Sequence, residues 1–216
     1  MAYGSDAGGA YDAVLIGSGD REHPFNGSGD AAHPRVNAVV NRYYMFKDRG
    51  IGNAFVGSTA VESGLYDSTA NLAQDGTAAQ QVAASNALAT AVGWYVTLSA
   101  GEKVVGGSAT LAGTVFFNTN QPALPAPGVC GGNLGIARNY ALNFENAAAK
   151  IQFTAAMLSV ASRSTVRPGG GYPPTPVAVF VKIDGRIQGV VVSGSTVLVP
   201  TAPPIGSRLR TFWRRR

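Results

Sequence analysis

The sequence predicts an all-β protein, organised as a partial β-propeller of antiparallel four-stranded blades with long loops and one short helix. The main observation is a strand-loop-strand pattern that occurs twice. The first copy covers residues 13–20 and 41–48, and the second covers residues 114–120 and 137–143. In each copy a short apolar run ends at small or polar residues, and the chain returns through Arg, one residue, Tyr and an apolar pair. A repeated hairpin of this kind is typical of propeller blades.

The composition agrees with many short strands joined by turns. The chain has 216 residues, of which 45% are hydrophobic, with 28 glycines and 12 prolines. This length supports a sizeable core, so residues 1–216 are interpreted as a single domain, the carboxy-terminal part of a propeller, with a connector near 166–176. Charged or turn-forming residues interrupt every apolar run before the roughly 20 residues of a membrane helix, so no transmembrane segment is predicted. The first residues also lack the basic start and apolar stretch of a signal peptide.

The first half of the chain is expected to contain two long strands and the helix. The strands are predicted near residues 12–17 and 39–47, separated by a long surface loop. A Gly- and Ser-rich insertion follows over residues 50–76, with a short strand around 64–67. The helix is predicted over 77–92 from its Ala, Gln, Leu and Val composition, with Thr77 as N-cap and Gly93 as the stop signal.

The middle of the chain is expected to form one complete blade. Its four strands are predicted at residues 93–98, 104–111, 114–118 and 138–144, in the order strand, strand, strand, loop, strand. This order is typical of the antiparallel blade unit.

The remaining strands are expected near the end of the chain. A strand is favoured over 151–154, and residues 167–174 form a stiff Pro- and Gly-rich connector. The turn Asp184-Gly185 between two apolar runs is the best short hairpin signal in the sequence. The predicted strands here cover residues 177–183, 186–192, 197–199 and 208–213. The strand count suffices for about two blades and part of a third, whereas closed propellers have typically about 4–8 blades.

Several segments are more specific than the general strand pattern. They are residues 11–24, residues 40–48, Gly93-Trp94-Tyr95 with Gly101-Glu102-Lys103-Val104, residues 137–143, and the ending from 171–176 through 210–213. Together they resemble the carboxy-terminal propeller of the PilY/PilC family of type IV pilus biogenesis and tip adhesin proteins. The landmarks come in the order of the family and span nearly the whole chain.

The resemblance implies a non-enzymatic protein of the bacterial periplasm, outer membrane or cell surface. Such a protein promotes pilus assembly, counters pilus retraction and contributes to adhesion and twitching motility. Its expected partners are pilus components, such as minor pilins, or a host surface. Family members bind calcium through an Asp-rich loop upstream of the matched region, and because this sequence has no such loop, no cofactor or metal is expected in this segment. The missing adhesive region and secretion signal predict a fragment of a longer gene product.

The loop Asp20-Arg21-Glu22-His23 is the strongest candidate for chemistry. Two carboxylates, a guanidinium and an imidazole within four residues could form an acid/base or metal site. One short loop rarely aims four side chains at one point, so a structural role is favoured. In that role Asp20 caps the turn and Arg21 pairs locally.

Two further features of the same loop suggest metal ligands. Asn26, Ser28 and Asp30 alternate with two glycines, at 27 and 29, as the first ligands of a calcium loop do, but Asn37 stands where such a loop needs a bidentate acid. A turn is therefore expected. His33 has no neighbouring ligand in the sequence, so metal binding by this imidazole is not expected.

Cys130 and the basic end leave alternatives open. Cys130, followed by two glycines, is interpreted as a structural or loop thiol rather than a reactive nucleophile, and pairing with another chain is the other possibility. The net charge of +5 is concentrated at the end of the chain. Because Phe212 and Trp213 alternate with the arginines there, a final strand with a solvated basic face is favoured over nucleic-acid binding. These arginines are Arg208, Arg210, Arg214, Arg215 and Arg216.

No catalytic residue is expected. No Gly-x-Ser-x-Gly elbow precedes a helix, and Gly17-Ser18-Gly19 lacks the helix that a phosphate site requires. One alternative is a fragment of a quinoprotein-like dehydrogenase, which would need cofactor-clamping residues and calcium-binding acids. Another is a carbohydrate-binding propeller, for which Trp94, Tyr95 and Trp213 would have to be exposed. Their positions in strands favour core packing.

Overall fold

The fold is known from a computed structural model that describes residues 2–21, 40–50, 62–123, 134–151, 157–183 and 185–199. Several predicted features fall on other residues and lie outside this description. They are Glu22, His23, Asn26, Ser28, Asp30, His33, Asn37, Cys130, residues 152–154, Asp184, and the predicted strand 208–213 with Phe212, Trp213 and the arginines around them.

The described residues are mostly β, with 13 strands and two α-helices. The strands of the first half are β1 (Ala2–Asp6), β2 (Gly9–Gly17), β3 (Arg42–Asp48), β4 (Tyr66–Asp67) and β5 (Gly93–Thr97). The strands of the second half are β6 (Lys103–Val104), β7 (Ala109–Leu111), β8 (Thr114–Gln121), β9 (Ile136–Asn143), β10 (Ser164–Arg167), β11 (Val177–Ile183), β12 (Arg186–Ser193) and β13 (Thr196–Leu198). The helices are α1 (Leu72–Asp75) and α2 (Ala78–Thr90), and short 3-10 helices cover Glu62–Gly64 and Val160–Arg163.

The strands form three sheets that follow one another along the chain. Sheet 1 has the order β1-β2-β3-β5-β4, in which only the short edge strand β4 runs parallel to its neighbour. Sheet 2 has the order β10-β9-β8-β6, and β7 also pairs with β8. Sheet 3 has the order β11-β12-β13. The all-β class is therefore confirmed.

The two copies of the sequence repeat form equivalent hairpins, as predicted. β2 pairs antiparallel with β3, and β8 pairs antiparallel with β9. Gly17 follows the apolar run of the first copy and lies opposite Tyr43, and Asn118 follows that of the second copy and lies opposite Asn139. Arg42 and Arg138 directly precede Tyr43 and Asn139, so the two arginines occupy equivalent positions in the two hairpins.

The predicted grouping of one blade is wrong. Residues 93–98 were expected beside 104–111, 114–118 and 138–144, but β5 pairs with β3 in sheet 1, and the unpredicted β10 fills the place in sheet 2. Glycine at position 93 permits this pairing, because a Cβ there would lie 1.9 Å from the carbonyl oxygen of Met45.

The single strand predicted over 104–111 is also wrong, because it is divided into β6 and β7. Gly106 and Gly107 interrupt the strand and lie against Thr175 of the connector. The Gly107 amide donates a hydrogen bond to the Thr175 hydroxyl at 3.2 Å, and a Cβ on Gly106 would approach the same hydroxyl to 2.9 Å. The connector thus takes the place of the missing strand pairing.

The predicted helix is confirmed at its start. Thr77 is the N-cap of α2, where its backbone amide donates to the Gln80 side chain at 2.9 Å and its hydroxyl accepts from the Gln80 amide at 3.4 Å. This reciprocal pair is a capping box. The helix ends at Thr90, ahead of Gly93, which opens β5. The four-residue α1 was not predicted.

Sheet 2 lies between the other two sheets. Residues Thr114 to Asn120 of β8 are all buried, so both faces of this strand are covered. On one face Phe117 and Leu142 pack in a cluster with Tyr43, Met45 and Trp94 of sheet 1. On the other face Phe116 and Ala141 pack with Val191 and Leu198 of sheet 3. The core is therefore two layers of side chains, one on each side of the middle sheet.

Three stacked aromatic rings hold sheets 1 and 2 together. The ring centroids of Tyr43 and Phe117 are 3.7 Å apart with 4° between the planes, and those of Phe117 and Tyr140 are 4.6 Å apart with 9°. We expect Phe117→Ala to lower the free energy of unfolding by about 3–5 kcal/mol, because it leaves a cavity in the centre of this stack. Urea denaturation measures the effect, and Val82→Ala on the exposed side of α2 is the control. A loss below about 1 kcal/mol would contradict the central position of Phe117.

An ion pair anchors the first strand across the sheet. Asp6 at the end of β1 accepts from Lys47 Nζ at 2.8 Å and from Arg49 Nη2 at 2.6 Å. The hydrogen bond from Lys47 lowers the pKa of Asp6 to about 2.

A lowered carboxyl pKa predicts a stabilising effect above the ordinary value that is lost in acid. We expect Asp6→Asn to cost about 1 kcal/mol at pH 7, since solvent screens this pair near the surface. The difference in stability between the variant and the parent protein should shrink as the pH falls from about 4 towards 2. Protonation of Asp6 then leaves the parent protein, like the variant, without this carboxylate charge. Denaturation curves at several pH values test this, and a difference that grows in acid would refute it.

Candidate functional site

The Arg-x-Tyr pair of the second copy holds a buried glutamate. Glu102 lies in the turn between β5 and β6 and is fully buried. Its Oε1 accepts from the Tyr140 hydroxyl at 2.9 Å and from the Thr119 hydroxyl at 2.6 Å, while Arg138 Nε lies 4.0 Å away. Its Oε2 accepts from the Ser99 amide at 3.1 Å. This carboxylate is therefore compensated by three hydrogen bonds and a nearby guanidinium, as a buried charge requires.

The same glutamate joins sheet 1 to sheet 2. The side-chain amide of Asn41, just before β3, donates to the Glu102 carbonyl oxygen at 2.9 Å. Burial, followed by the nearby Glu102 charge, raises the pKa of Tyr140 far above its usual value. The phenol therefore stays protonated and can donate to the carboxylate at every physiological pH.

The first copy of the repeat builds the same constellation on the surface. The Tyr44 hydroxyl donates to Glu62 Oε2 at 3.1 Å, and Arg42 Nη2 lies 3.5 Å from Glu62 Oε1. Here the acid comes from the short helix Glu62–Gly64. The Arg42 and Glu62 side chains are 29% and 47% exposed, in contrast to the fully buried Glu102. One arrangement of three residue types thus occurs twice, once between sheets and once on an open face.

This open face is apolar and aromatic. We call it the outer face of sheet 1, formed by Val14, Ile16, Tyr44, Phe46 and Tyr95. Ile16, Tyr44 and Tyr95 lie opposite one another on adjacent strands, and Val14 lies opposite Phe46. The rings of Tyr44 and Phe46 stack with 5.8 Å between centroids, while Ile16 and Val14 are 55% and 41% exposed.

Charged side chains contact the aromatic rings of this face. The Arg42 guanidinium lies over the Tyr95 ring, 5.2 Å from its centroid. Burial and the hydrogen bond to Glu62 raise the pKa of Tyr44. Arg42 Nε in the first copy and Arg138 Nη1 in the second are both buried without a hydrogen-bond partner. The face therefore combines exposed apolar side chains with an exposed ion pair between Arg42 and Glu62.

Asp20 and Arg21 of the predicted candidate loop contact distant parts of the chain. Lys103 Nζ donates to the Asp20 carbonyl oxygen at 3.1 Å. The Arg21 guanidinium lies over the Tyr172 ring at 5.7 Å, and the Tyr172 hydroxyl donates to the Arg21 carbonyl oxygen at 3.5 Å. The described partner of Arg21 therefore lies in the connector. Glu22 and His23 lie outside the described residues.

Trp94 and Tyr95, considered above as possible sugar-binding residues, differ in burial. Trp94 is fully buried and its indole N–H donates to the Phe144 carbonyl oxygen at 2.9 Å, which confirms the prediction of core packing. Tyr95 is half-buried on the outer face of sheet 1. Trp94 is therefore excluded as an exposed sugar-binding platform.

Arg163 was not predicted to be important, yet it joins three segments. Its guanidinium donates to the carbonyl oxygens of Ser68, Thr69 and Ala147 at 2.7–2.9 Å, and to Asn71 Oδ1 at 3.1 Å. Burial lowers the pKa of this group to about 10. It holds the segment before α1 against sheet 2. Its partners are mostly backbone carbonyls, which carry no signal in the sequence.

A second unpredicted network joins sheet 2 to sheet 3 and to the connector. Asn118 Nδ2 donates to the Pro174 carbonyl oxygen at 2.6 Å and to the Ser193 hydroxyl at 2.7 Å. Asn120 Nδ2 donates to the Gly171 carbonyl oxygen at 2.6 Å, and Arg167 Nη1 donates to that of Ser193 at 2.8 Å. These alternate polar residues of β8 thus serve as links between layers.

Among the described residues no three His, Cys, Asp or Glu side chains lie close enough together to hold a metal ion. No helix within them has the length and apolar character needed to cross a membrane. No family model, curated protein or solved structure matches the chain.

The two copies of the constellation provide a matched pair of substitutions. We expect Glu102→Gln to lower the free energy of unfolding by about 1–3 kcal/mol, because one acceptor oxygen becomes a donor facing buried donors. Glu62→Gln should change it by no more than about 0.5 kcal/mol, since its ion pair is exposed. Urea denaturation of both variants tests the difference. Equal effects would show that burial does not distinguish the two sites.

Proposed function

We propose that the chain is a partial β-propeller of the PilY/PilC type, which serves type IV pilus assembly and adhesion through protein–protein or surface contacts and catalyses no reaction. The observation that carries the proposal is the stacking of three consecutive sheets with Phe117 and Phe116 on opposite faces of the middle one. Apart from the parallel edge strand β4, each sheet is a run of antiparallel neighbours in near chain order, as in a propeller blade.

The segments that resemble the pilus family meet in space, which supports the proposal. Glu102 belongs to the landmark Gly101-Glu102-Lys103-Val104, and it binds Tyr140 of the landmark 137–143. Asn41, inside the landmark 40–48, binds the Glu102 backbone. Residues that are far apart in the sequence thus form one junction between sheets 1 and 2.

The buried polar side chains support a role in contacts rather than in chemistry. Glu102, Asn118, Asn120 and Arg163 are hydrogen-bonded to neighbouring sheets or to the connector. These bonds hold layers together, and the four side chains are buried away from solvent, which fits a structural role. The exposed outer face of sheet 1 offers instead the mixture of Tyr, Phe and Arg that is enriched at protein interfaces.

The proposed location is the periplasm, the outer membrane or the cell surface, and the proposed partners are minor pilins or a host surface. The test is a binding titration of the purified chain against purified minor pilins of a type IV system. We expect saturable binding with a dissociation constant of about 10 μM or tighter. The major pilin of an unrelated bacterium and serum albumin are the controls.

A redox assay with added quinone cofactor and calcium distinguishes the alternative of a dehydrogenase fragment. Dye reduction above the rate without protein would contradict the proposal, as would the absence of binding to every minor pilin and to host cells.

A further inference from the structure

We propose that two copies of the chain associate through β11, whose free edge pairs antiparallel with β11 of the second copy about a twofold axis at Phe180. The three strands of sheet 3 from each copy then form one continuous sheet. This inference goes beyond the proposed function, because it depends neither on the propeller arrangement nor on a pilus partner.

The first observation is the unpaired edge of sheet 3. Among the described strands β11 pairs only with β12, and with seven residues it is longer than any other strand at an edge of the three sheets. The pairing with β12 has no bulge, and the strand contains no proline. Natural proteins protect such edges with prolines, bulges or charges, because unpaired N–H and C=O groups are a template for another strand. Lys182 is the one protecting charge on β11, so the edge can accept a strand.

The second observation is that β11 has apolar side chains exposed on both faces of the sheet. Every residue of the strand except Lys182 is apolar, yet none from 177 to 182 is buried. Val177 and Phe180 point to opposite faces and are 54% and 63% exposed. In the neighbouring β12, Val190 and Val191 are buried. A strand added at the edge would place its side chains beside those of β11 on both faces, so it has to be apolar on both faces.

The turn of the hairpin decides which backbone groups point to the free edge. Ile183 and Arg186 face each other across a two-residue turn in which Gly185 has a φ of 78°, so they form a hydrogen-bonded pair. Residues bonded to β12 and residues directed outward alternate along the strand. The outward-directed residues of β11 are therefore Ala178, Phe180 and Lys182.

These outward-directed residues are complementary to their own copies. In an antiparallel pair centred on Phe180, this residue lies opposite its counterpart and Ala178 lies opposite Lys182 of the second copy. Each outward-directed residue thus meets another, which gives about six hydrogen bonds between the strands. Two phenyl rings face each other at the axis, and no lysine lies opposite a lysine. Because the twofold contact uses both β11 edges, it closes at the dimer.

The oligomeric state of the full chain tests the proposal. The contact is small, so sedimentation equilibrium should show a monomer and dimer in exchange with a dissociation constant on the order of 10–100 μM. A chain that stays monomeric at about 1 mM, or that forms open polymers, would overturn the proposal. The other candidate for the edge is residues 208–213 of the same chain. A Phe180 amide protected from hydrogen exchange in the monomer would favour that segment and would also overturn the dimer.

Ala178→Pro tests the edge. The proline removes an N–H that points away from β12, so the hairpin is kept while pairing with the second copy is blocked. We expect the dissociation constant of the dimer to rise at least about tenfold. Ala178→Val keeps the N–H and should not raise it. Circular dichroism melting shows that each variant folds, and a folded Ala178→Pro variant that dimerises like the parent would overturn the proposal.

Phe180→Lys and Phe180→Glu test the register, at a side chain exposed enough to be replaced without loss of the fold. Each variant places like charges opposite each other at the axis, so each alone should dimerise at least about tenfold more weakly than the parent. In a mixture a lysine faces a glutamate, and heterodimers should form at least about tenfold more tightly than either homodimer. Val82→Lys on the exposed side of α2 is the control and should dimerise like the parent. Failure of the mixture to recover would overturn the pairing centred on Phe180.

The dimer and the pilus role fail separately. A monomer that binds minor pilins overturns only the dimer, and a dimer that binds no pilin or host surface overturns only the proposed function.

Discussion

The structure depends on a middle sheet that is covered on both faces. β8 and β9 place Phe117 and Leu142 towards sheet 1, and Phe116 and Ala141 towards sheet 3. Successive side chains of these strands therefore face alternately one core or the other. A shift of register by one position would move the side chains that face sheet 1 to the side of sheet 3, and the reverse. The stack of Tyr43, Phe117 and Tyr140 sets the spacing of the first two sheets. The asparagines of β8 then attach the third sheet and the connector.

The repeat shows how one local arrangement takes on two roles. Arg, Tyr and Glu meet in both copies with hydroxyl-to-carboxylate distances of 2.9 and 3.1 Å. Between sheets 1 and 2 the carboxylate is removed from water and has to be satisfied completely, which makes it a structural junction. On the outer face of sheet 1 the same groups keep contact with water and remain able to meet another surface. The Arg and Tyr have the same register in the two copies, whereas the Glu comes from a different element and the cover differs.

Buried polar groups and exposed apolar groups have different roles in this fold. The described polar groups that are most deeply buried, such as Glu102, Asn118 and Arg163, are occupied in holding layers together. Among the described residues, the outer face of sheet 1 is one surface on which apolar side chains such as Val14 and Ile16 stay exposed. An exposed apolar and aromatic sheet face is the physical basis for proposing a role in contacts with other proteins.

The sequence by itself determined the local elements, namely the two repeated hairpins, the Thr77 cap, the strands β11 and β12 and the burial of Trp94. These follow from alternation, turn residues and side-chain type within a few positions. Only the tertiary structure decided that β5 belongs to sheet 1, that Gly106 and Gly107 divide a strand, and that Glu102 and Arg163 are buried. Each of these depends on a partner distant in the sequence, often a backbone carbonyl, and a carbonyl is the same in every residue. The local sequence pattern therefore cannot predict which distant residue a strand or a buried side chain will contact.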